Sequence, residues 1–392
     1  MNRILLFGLF LLLSGMTQAQ SVSLDVGFYT PETESTPFDH SMGGEVRNVI
    51  LFIGDGMGLA HVTLSRLYAV GPDGRLTIDR FPVTGLISTH SADDLITDSA
   101  AAATALSTGV KTDKRVIGLD SEGQPLVTIV QKMQSVGKST GLVATSTITH
   151  ATPAGFGAHR KSRSDEQNIA VDLAESGIDI LFGGGREFFL PKAESGSGRK
   201  DERNLLGEMS GKGYTIISTR DELLAVDDKK VVGLFHNKAL QNTEEEPALR
   251  EMTATAIQLL SRNPSGFFLM VEGSQVDWAG HDKDPNGVVF HTLHFDLAVR
   301  EGIEFARQDG NTLVIVTADH ETGGLSIVGG GRQGRPLHAA FSTGSHTAIP
   351  VPVYAYGPGA LEFTGTLDNT SIPRIIARLA GVNDGVSEAV AP

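Results

Sequence analysis

Short, unbroken apolar runs recur along this 392-residue chain: Val49 to Ile53, Gly141 to Thr145, Ile178 to Phe182, Phe267 to Val271, Leu313 to Thr317 and Val351 to Tyr356. A strand with one wet face alternates apolar and polar residues; a run without alternation reads as a strand covered on both faces. Helix-period stretches separate most of these runs. One is predicted from Ser164, where Ser164 and Gln167 fit a capping box, to just before Gly177. A second, from about Glu245 to Ser261, lines up Leu249, Met252, Ala256, Leu259 and Leu260. A third, from about Val288 to Gln308, presents Leu293, Leu297 and Ile303 before Asp309-Gly310. Buried strands alternating with helices predict an α/β three-layer sandwich: a large, mostly parallel central sheet flanked by helices, with small surface insertions.

The ends of the chain break the pattern. Arg3, the apolar run Ile4 to Leu13, and small residues at Thr17 and Ala19 predict a signal peptide over 1–19, hence an exported chain, periplasmic or secreted. Residues 20–45 carry Pro31 and Pro37 without periodicity and are expected to form a poorly ordered lead-in. A single domain is expected over 46–383, with a tail at 384–392. Residues 186–240, richer in Gly, Lys and Glu, read as a surface insertion within it.

Composition narrows the function. There is no cysteine, so an exported chain of this kind must be stable without disulfides. Without the leader it has 31 basic and 46 acidic residues, a formal charge of −15. No basic stretch interrupts that acidity, which argues against nucleic acid, and no later run approaches membrane length. Binding an anion would require strong local positive charge, for which metal ions are the simplest source.

Candidate chemistry gathers at the strand ends, where open α/β sheets bind ligands. Asp55 comes after the first run, between glycines; Glu272, Asp277 and His281 come after the fourth; Asp319 and His320 come after the fifth; His346 precedes the sixth; His150 and Thr152 come after the second. Asp98-Ser99 opens the small-residue stretch Ala100 to Ala105, placing a hydroxyl at a helix N-terminus, where phosphate is favoured. Each has a plainer reading: Asp98 or Ser99 as a helix cap, Asp55 as turn chemistry, Asp277 and His281 as a surface pair, His346 as a loop histidine. His291 and His294 read as helix packing, Gly183-Gly184-Gly185-Arg186 as a turn, and His61, His90, His236 and His338 carry no assigned role.

Six blocks together resemble the alkaline phosphatases: Asn48 to Gly58 around Asp55, Thr97-Asp98-Ser99-Ala100-Ala101, His150-Ala151-Thr152-Pro153 with His159 and Arg163, Val271 to His281, Thr317 to Gly323, and Ser345-His346-Thr347. They occur in that family's order. The resemblance implies metal-dependent hydrolysis of phosphate monoesters, over a broad range, through a phosphoserine at Ser99. It implies one Zn2+ on Asp277, His281 and His346, a second on Asp55, Asp319 and His320 with Ser99 as alkoxide, and one Mg2+ on Asp55, Thr152 and Glu272. Arg163 would clamp two phosphate oxygens, steadied by Asp98, and a homodimer is expected. His150 and Trp278 stand where some members carry Asp and Lys, which bears on the third metal and the phosphate surroundings. With those cations the site would carry about +2, suited to a phosphate dianion. Ser99 is followed by alanines rather than the Pro- and Arg-containing motif of a sulfatase, and Arg163 argues against a diesterase, whose substrate has fewer free oxygens.

Overall fold

The seven residues Asn48–Gly54 are all buried and form the strand β1 near the middle of a ten-stranded sheet. In this computed structural model the described residues are 18–32, 36–39 and 43–382. The other strands are β2 (Val83–Ser88), β3 (Ser139–Thr147), β4 (Ile180–Gly184), β5 (Thr215–Ile217), β6 (Val231–Leu234), β7 (Phe267–Gly273), β8 (Thr312–Thr317), β9 (Val351–Tyr356) and β10 (Gly365–Asp368). Their order is β10-β2-β9-β8-β1-β7-β3-β4-β6-β5. All six apolar runs lie wholly or largely in these strands, and only β9 runs against its neighbours. The expected three-layer, mostly parallel α/β architecture is therefore the one observed.

One helical layer contains Leu59–Val70, Leu249–Leu260 and Pro285–Asp309; the other contains Ser99–Thr108, Ile129–Ser135, Ala151–Gly157 and Ser371–Leu379. Every residue of Ser99–Thr108 is buried. Its alanines permit this: a Cβ on Gly155 of the adjoining helix would meet Ala103 Cβ at 2.7 Å. Larger residues on either helix would force the two apart and move Ser99 with them.

Several local expectations change. The helix expected from Ser164 begins at Glu166, without a capping box. The Ser164 hydroxyl accepts instead from Arg115 at 2.7 Å, and the Gln167 side chain accepts from the Lys200 N–H at 2.7 Å. The helix expected from Glu245 begins at Leu249, because Pro247 disfavours helical backbone at the residue before it. The helix expected from Val288 begins at Pro285, where Asp284 accepts from the N–H groups of Asn286 and Gly287.

Two larger corrections concern whole segments. The lead-in is not loose where it is described. Gln20–Ser21 pairs with Leu337–Phe341, Phe38 is buried, and the Tyr29 hydroxyl donates at 2.7 Å to the fully buried Asp296. Asp296 also accepts from the N–H groups of Thr77 and Ile78, so the lead-in closes a polar knot in the core. Residues 186–240 are more than a surface insertion: β5 and β6 extend the central sheet, and Leu205, Leu206 and Met209 cover that edge. Most of the expected signal peptide and all of the expected tail lie outside the described residues. Among those described, no helix is long and apolar enough to cross a membrane.

Candidate active site

Asp98, not Ser99, caps the helix Ser99–Thr108: its Oδ1 accepts from the Ala101 N–H at 3.1 Å. The same oxygen accepts from the Arg115 N–H at 3.1 Å. That frees the Ser99 hydroxyl, which at 2 % exposure lies 3.3 Å from His320 Nε2. A hydroxyl one residue inside the helix, facing a ring nitrogen beyond it, is placed for chemistry rather than for capping.

Arg163 reaches the same point. It donates to Asp98 Oδ2 at 3.1 Å and lies 3.1 Å from His150 Nε2, so its guanidinium is held from two sides. Burial and then the Arg163 charge push His150 down to about 3, so the ring is neutral and accepts from Arg163. Trp278 lies edge to face with His150, ring centroids 6.4 Å apart. Hydrogen bonds from the Arg115 N–H and the Arg163 charge outweigh burial and hold the Asp98 carboxyl below the usual carboxylate range.

Four adjacent central strands, β8, β1, β7 and β3, deliver the acidic and imidazole groups. Asp55 comes directly after β1, Glu272 lies at the end of β7, Asp277 and His281 lie on the short helix beyond it, and Asp319 and His320 come after β8. His346 arrives by a different route. It precedes β9, and because β9 is antiparallel its N-terminal end lies at the carboxyl edge of the others. A two-residue ribbon, Glu321–Thr322 against His346–Thr347, then sets His346 opposite Thr322.

The candidate ligands form three groups. Asp277 Oδ2 is 3.3 Å from His281 Nε2, and His346 Nε2 is 3.2 Å from the same nitrogen. His320 Nε2 is 3.2 Å from Asp319 Oδ2 and 3.4 Å from Asp55 Oδ1. Asp277 also comes within 4.8 Å of Asp55 and His320, so it faces both groups. Asp55 and Glu272 meet His150 in the third, where His150 Nδ1 is 3.9 Å from Glu272 Oε1. Asp55 thus stands between the second and third groups.

Electrostatics show what these groups lack. Both Asp55 oxygens, Asp319 Oδ2, Glu272 Oε1, Thr152 Oγ1 and His150 Nδ1 are buried without a hydrogen-bond partner. Such orphaned atoms are costly unless a cation satisfies them. Burial, and then Asp319, Asp277 and Glu272, push the Asp55 carboxyl well above its usual range. Burial likewise pushes Glu272 up to about 7 and Asp319 up to about 6. For Asp277 burial is outweighed by the His281 hydrogen bond and the histidine charges, which hold its carboxyl low, while that hydrogen bond raises His281 to about 9. Buried carboxylates, imidazoles and a hydroxyl with unused lone pairs fit divalent cations.

Some participants carry no recognisable signal of their own in the sequence. Thr322 donates to Asp277 Oδ1 and contacts His320 Nδ1; its presence in the block Thr317 to Gly323 is the only hint. Ser146 donates to Glu272 Oε2 at 3.1 Å, and the Gly56 N–H donates to Asp319 Oδ1 at 3.1 Å. The carbonyls of Gly344 and Thr97 accept from His281 Nδ1 and His346 Nδ1, both at 2.9 Å, turning each Nε2 toward the group. His291 and His294 do pack outside the site, against Phe290, with Phe28 stacked on His294.

A family model described as alkaline phosphatase matches residues 46–337. Alkaline phosphatase 4 of Bacillus subtilis is 36% identical over an alignment covering 89% of this chain and 92% of that protein. The structure of alkaline phosphatase from the Antarctic bacterium TAB5 superposes with a TM-score of 0.79 at 38% identity, covering 87% of this chain and 100% of that one. A variant of the TAB5 enzyme with Mg bound in its M3 site gives a TM-score of 0.78 at 37% identity, covering 86% and 99%. With the helix that carries Ser99, the Arg163 guanidinium and three candidate ligand groups on one sheet edge, and these matches running over most of its length, the chain belongs to the alkaline phosphatase family of phosphate monoester hydrolases.

Proposed function

We propose that this chain hydrolyses a broad range of phosphate monoesters through a phosphoserine at Ser99, in a centre holding two Zn2+ and one Mg2+. The observation that carries the reading is the freed Ser99 hydroxyl beside His320 Nε2, among buried carboxylates with unpaired oxygens. Asp277, His281 and His346 would hold one zinc, and Asp55, Asp319 and His320 the other, because mixed carboxylate and imidazole sets suit that ion. Asp55, Thr152 and Glu272 offer an all-oxygen set suited to magnesium. A Mg in the M3 site of the TAB5 enzyme, seen in a histidine-to-aspartate variant, supports a third cation site; His150, accepting from Arg163 on Nε2, turns its Nδ1–H rather than a lone pair toward Glu272.

Bound cations supply the positive charge that a weakly nucleophilic hydroxyl and a departing alkoxide both need. Ser99 Oγ forms a bond to phosphorus as the ester P–O bond breaks, and the alcohol leaves. Arg163, steadied by Asp98 and His150, offers its free N–H groups to two phosphate oxygens and keeps the ester in line. Water then attacks the phosphoserine from the opposite side, releasing phosphate and restoring the hydroxyl. Two inversions give net retention. Loose phosphoryl transfer depends on positioning and charge more than on the alcohol, which supports broad specificity. Export is supported by the leader pattern of Arg3, Ile4 to Leu13 and Ala19, and the homodimer by family membership.

Acid quenching during turnover of a radiolabelled monoester is expected to trap one phosphate per chain on Ser99, located by peptide mapping. Absence of label on that serine overturns the covalent route. Arg163→Ala is expected to weaken competitive inhibition by inorganic phosphate about 10- to 100-fold, the worth of a charged hydrogen-bonded pair. An unchanged inhibition constant would remove the clamp.

A further inference from the structure

Three separate segments meet at Thr322. Its N–H donates to the Gly56 carbonyl at 3.1 Å, it pairs with His346 across the ribbon, and a Cβ on Gly280 would lie 3.0 Å from its methyl group. Its side chain is wholly buried, so no solvent water replaces it.

The hydroxyl has one hydrogen and two neighbours. Asp277 Oδ1, at 2.5 Å, is a carboxylate oxygen and accepts that hydrogen. The 3.2 Å contact with His320 Nδ1 therefore runs the other way, the ring N–H donating to the hydroxyl oxygen. An imidazole that carries its hydrogen on Nδ1 keeps its lone pair on Nε2. That nitrogen faces Ser99 Oγ at 3.3 Å, Asp319 Oδ2 at 3.2 Å and Asp55 Oδ1 at 3.4 Å. Several lone pairs then converge on one point, where the single hydrogen of Ser99 cannot serve them all and a divalent cation can.

We infer that Thr322 is a positioning residue coupling the two zinc half-sites, its single hydroxyl orienting Asp277 in one and fixing the Nε2 lone pair of His320 toward the other. The inference rests on the metal centre proposed above. Space around Thr322 is closed, since a Cβ on Gly56 would come 2.7 Å from its hydroxyl oxygen. Valine would keep the shape and lose both hydrogen bonds; serine would keep the bonds and lose only a methyl group.

The test uses the full chain with Thr322→Val and Thr322→Ser, stripped of metal and titrated with zinc against a chromogenic chelator. Thr322→Val is expected to bind zinc about 10- to 100-fold more weakly at both sites, the usual effect of removing such a supporting group, and Thr322→Ser within about threefold of wild type. Ring 15N shifts of the wild-type protein, independent of whether the valine variant folds, are expected to show His320 with its hydrogen on Nδ1. Wild-type zinc affinity in a folded Thr322→Val variant, weakening at one site alone, or a His320 hydrogen on Nε2 would each overturn the coupling. A wild-type protein that takes up no zinc would overturn the metal centre itself, a separate failure.

Discussion

Ser99→Ala is expected to slow phosphate monoester hydrolysis about a thousandfold or more while leaving the fold and phosphate binding in place. The variant separates chemistry from structure because Asp98 carries the helix cap and Ser99 does not. Alanine is the best helix former and lengthens the Ala100 to Ala105 run by one residue, so the helix loses nothing it uses. The loss falls on the bond between Oγ and phosphorus. Arg163 and any bound cations would still hold the ester, leaving slow direct attack by water to set the residual rate. Steady-state turnover of an aryl phosphate, with melting temperature and phosphate binding measured on the same preparations, checks this. A rate within tenfold of wild type would end the case for Ser99 as nucleophile.

Removing the metals is the second large effect, and it reaches stability as well as turnover. A chelator is expected to abolish hydrolysis, with zinc and magnesium together restoring it. Each cation present at a thousandfold excess over its dissociation constant adds about 4 kcal/mol. At roughly 2 °C per kcal/mol for a large domain, two tight sites place the stripped protein about 15 °C lower in melting temperature. The gap should also widen with pH. Without cations, burial raises Asp319 to about 6 and Glu272 to about 7, above their ordinary values of 3.8 and 4.5. A carboxyl raised in the folded state binds its proton more tightly there, so its contribution is complete below the unfolded value and is lost as pH rises through the folded one. These two carboxyls therefore withdraw stability from the stripped protein between about pH 4 and 7, whereas bound cations would hold them ionised, so their contribution to the gap grows with pH. Calorimetry of loaded and stripped protein at pH 5 and pH 8 checks this; a gap that narrows at pH 8 contradicts it.

Much of the site is legible in the sequence because its residues sit immediately after strongly apolar runs. Asp55, Glu272, Asp319 and His320 stand at the ends of β1, β7 and β8, and side chains at the carboxyl ends of neighbouring parallel strands must share an edge. Thr322 is not legible in this way. A threonine followed by two glycines has no distinguishing pattern, and its role depends on the direction of one hydrogen, set by a carboxylate from a different segment. The order of the lead-in is hidden for a related reason: Tyr29 and Phe38 are isolated apolar residues without period, and their burial depends on Asp296 and Arg80 far along the chain. Strands β5 and β6, three and four residues long, are too short for alternation to register.

Taken alone, the sequence determined which segments must be buried strands, since a chain cannot leave Val49 to Ile53 or Leu313 to Thr317 in water without large cost. It also determined which chemical groups stand at their ends. Only the tertiary structure decided how those groups combine. Hydrophobic runs read the same in both directions, so nothing in Val351 to Tyr356 reveals that β9 opposes its neighbours; that reversal brings His346 to the shared edge. Hydrogen-bond direction is likewise a property of assembled neighbours: Thr322 joins Asp277 to His320 only once separate segments are packed at contact distance.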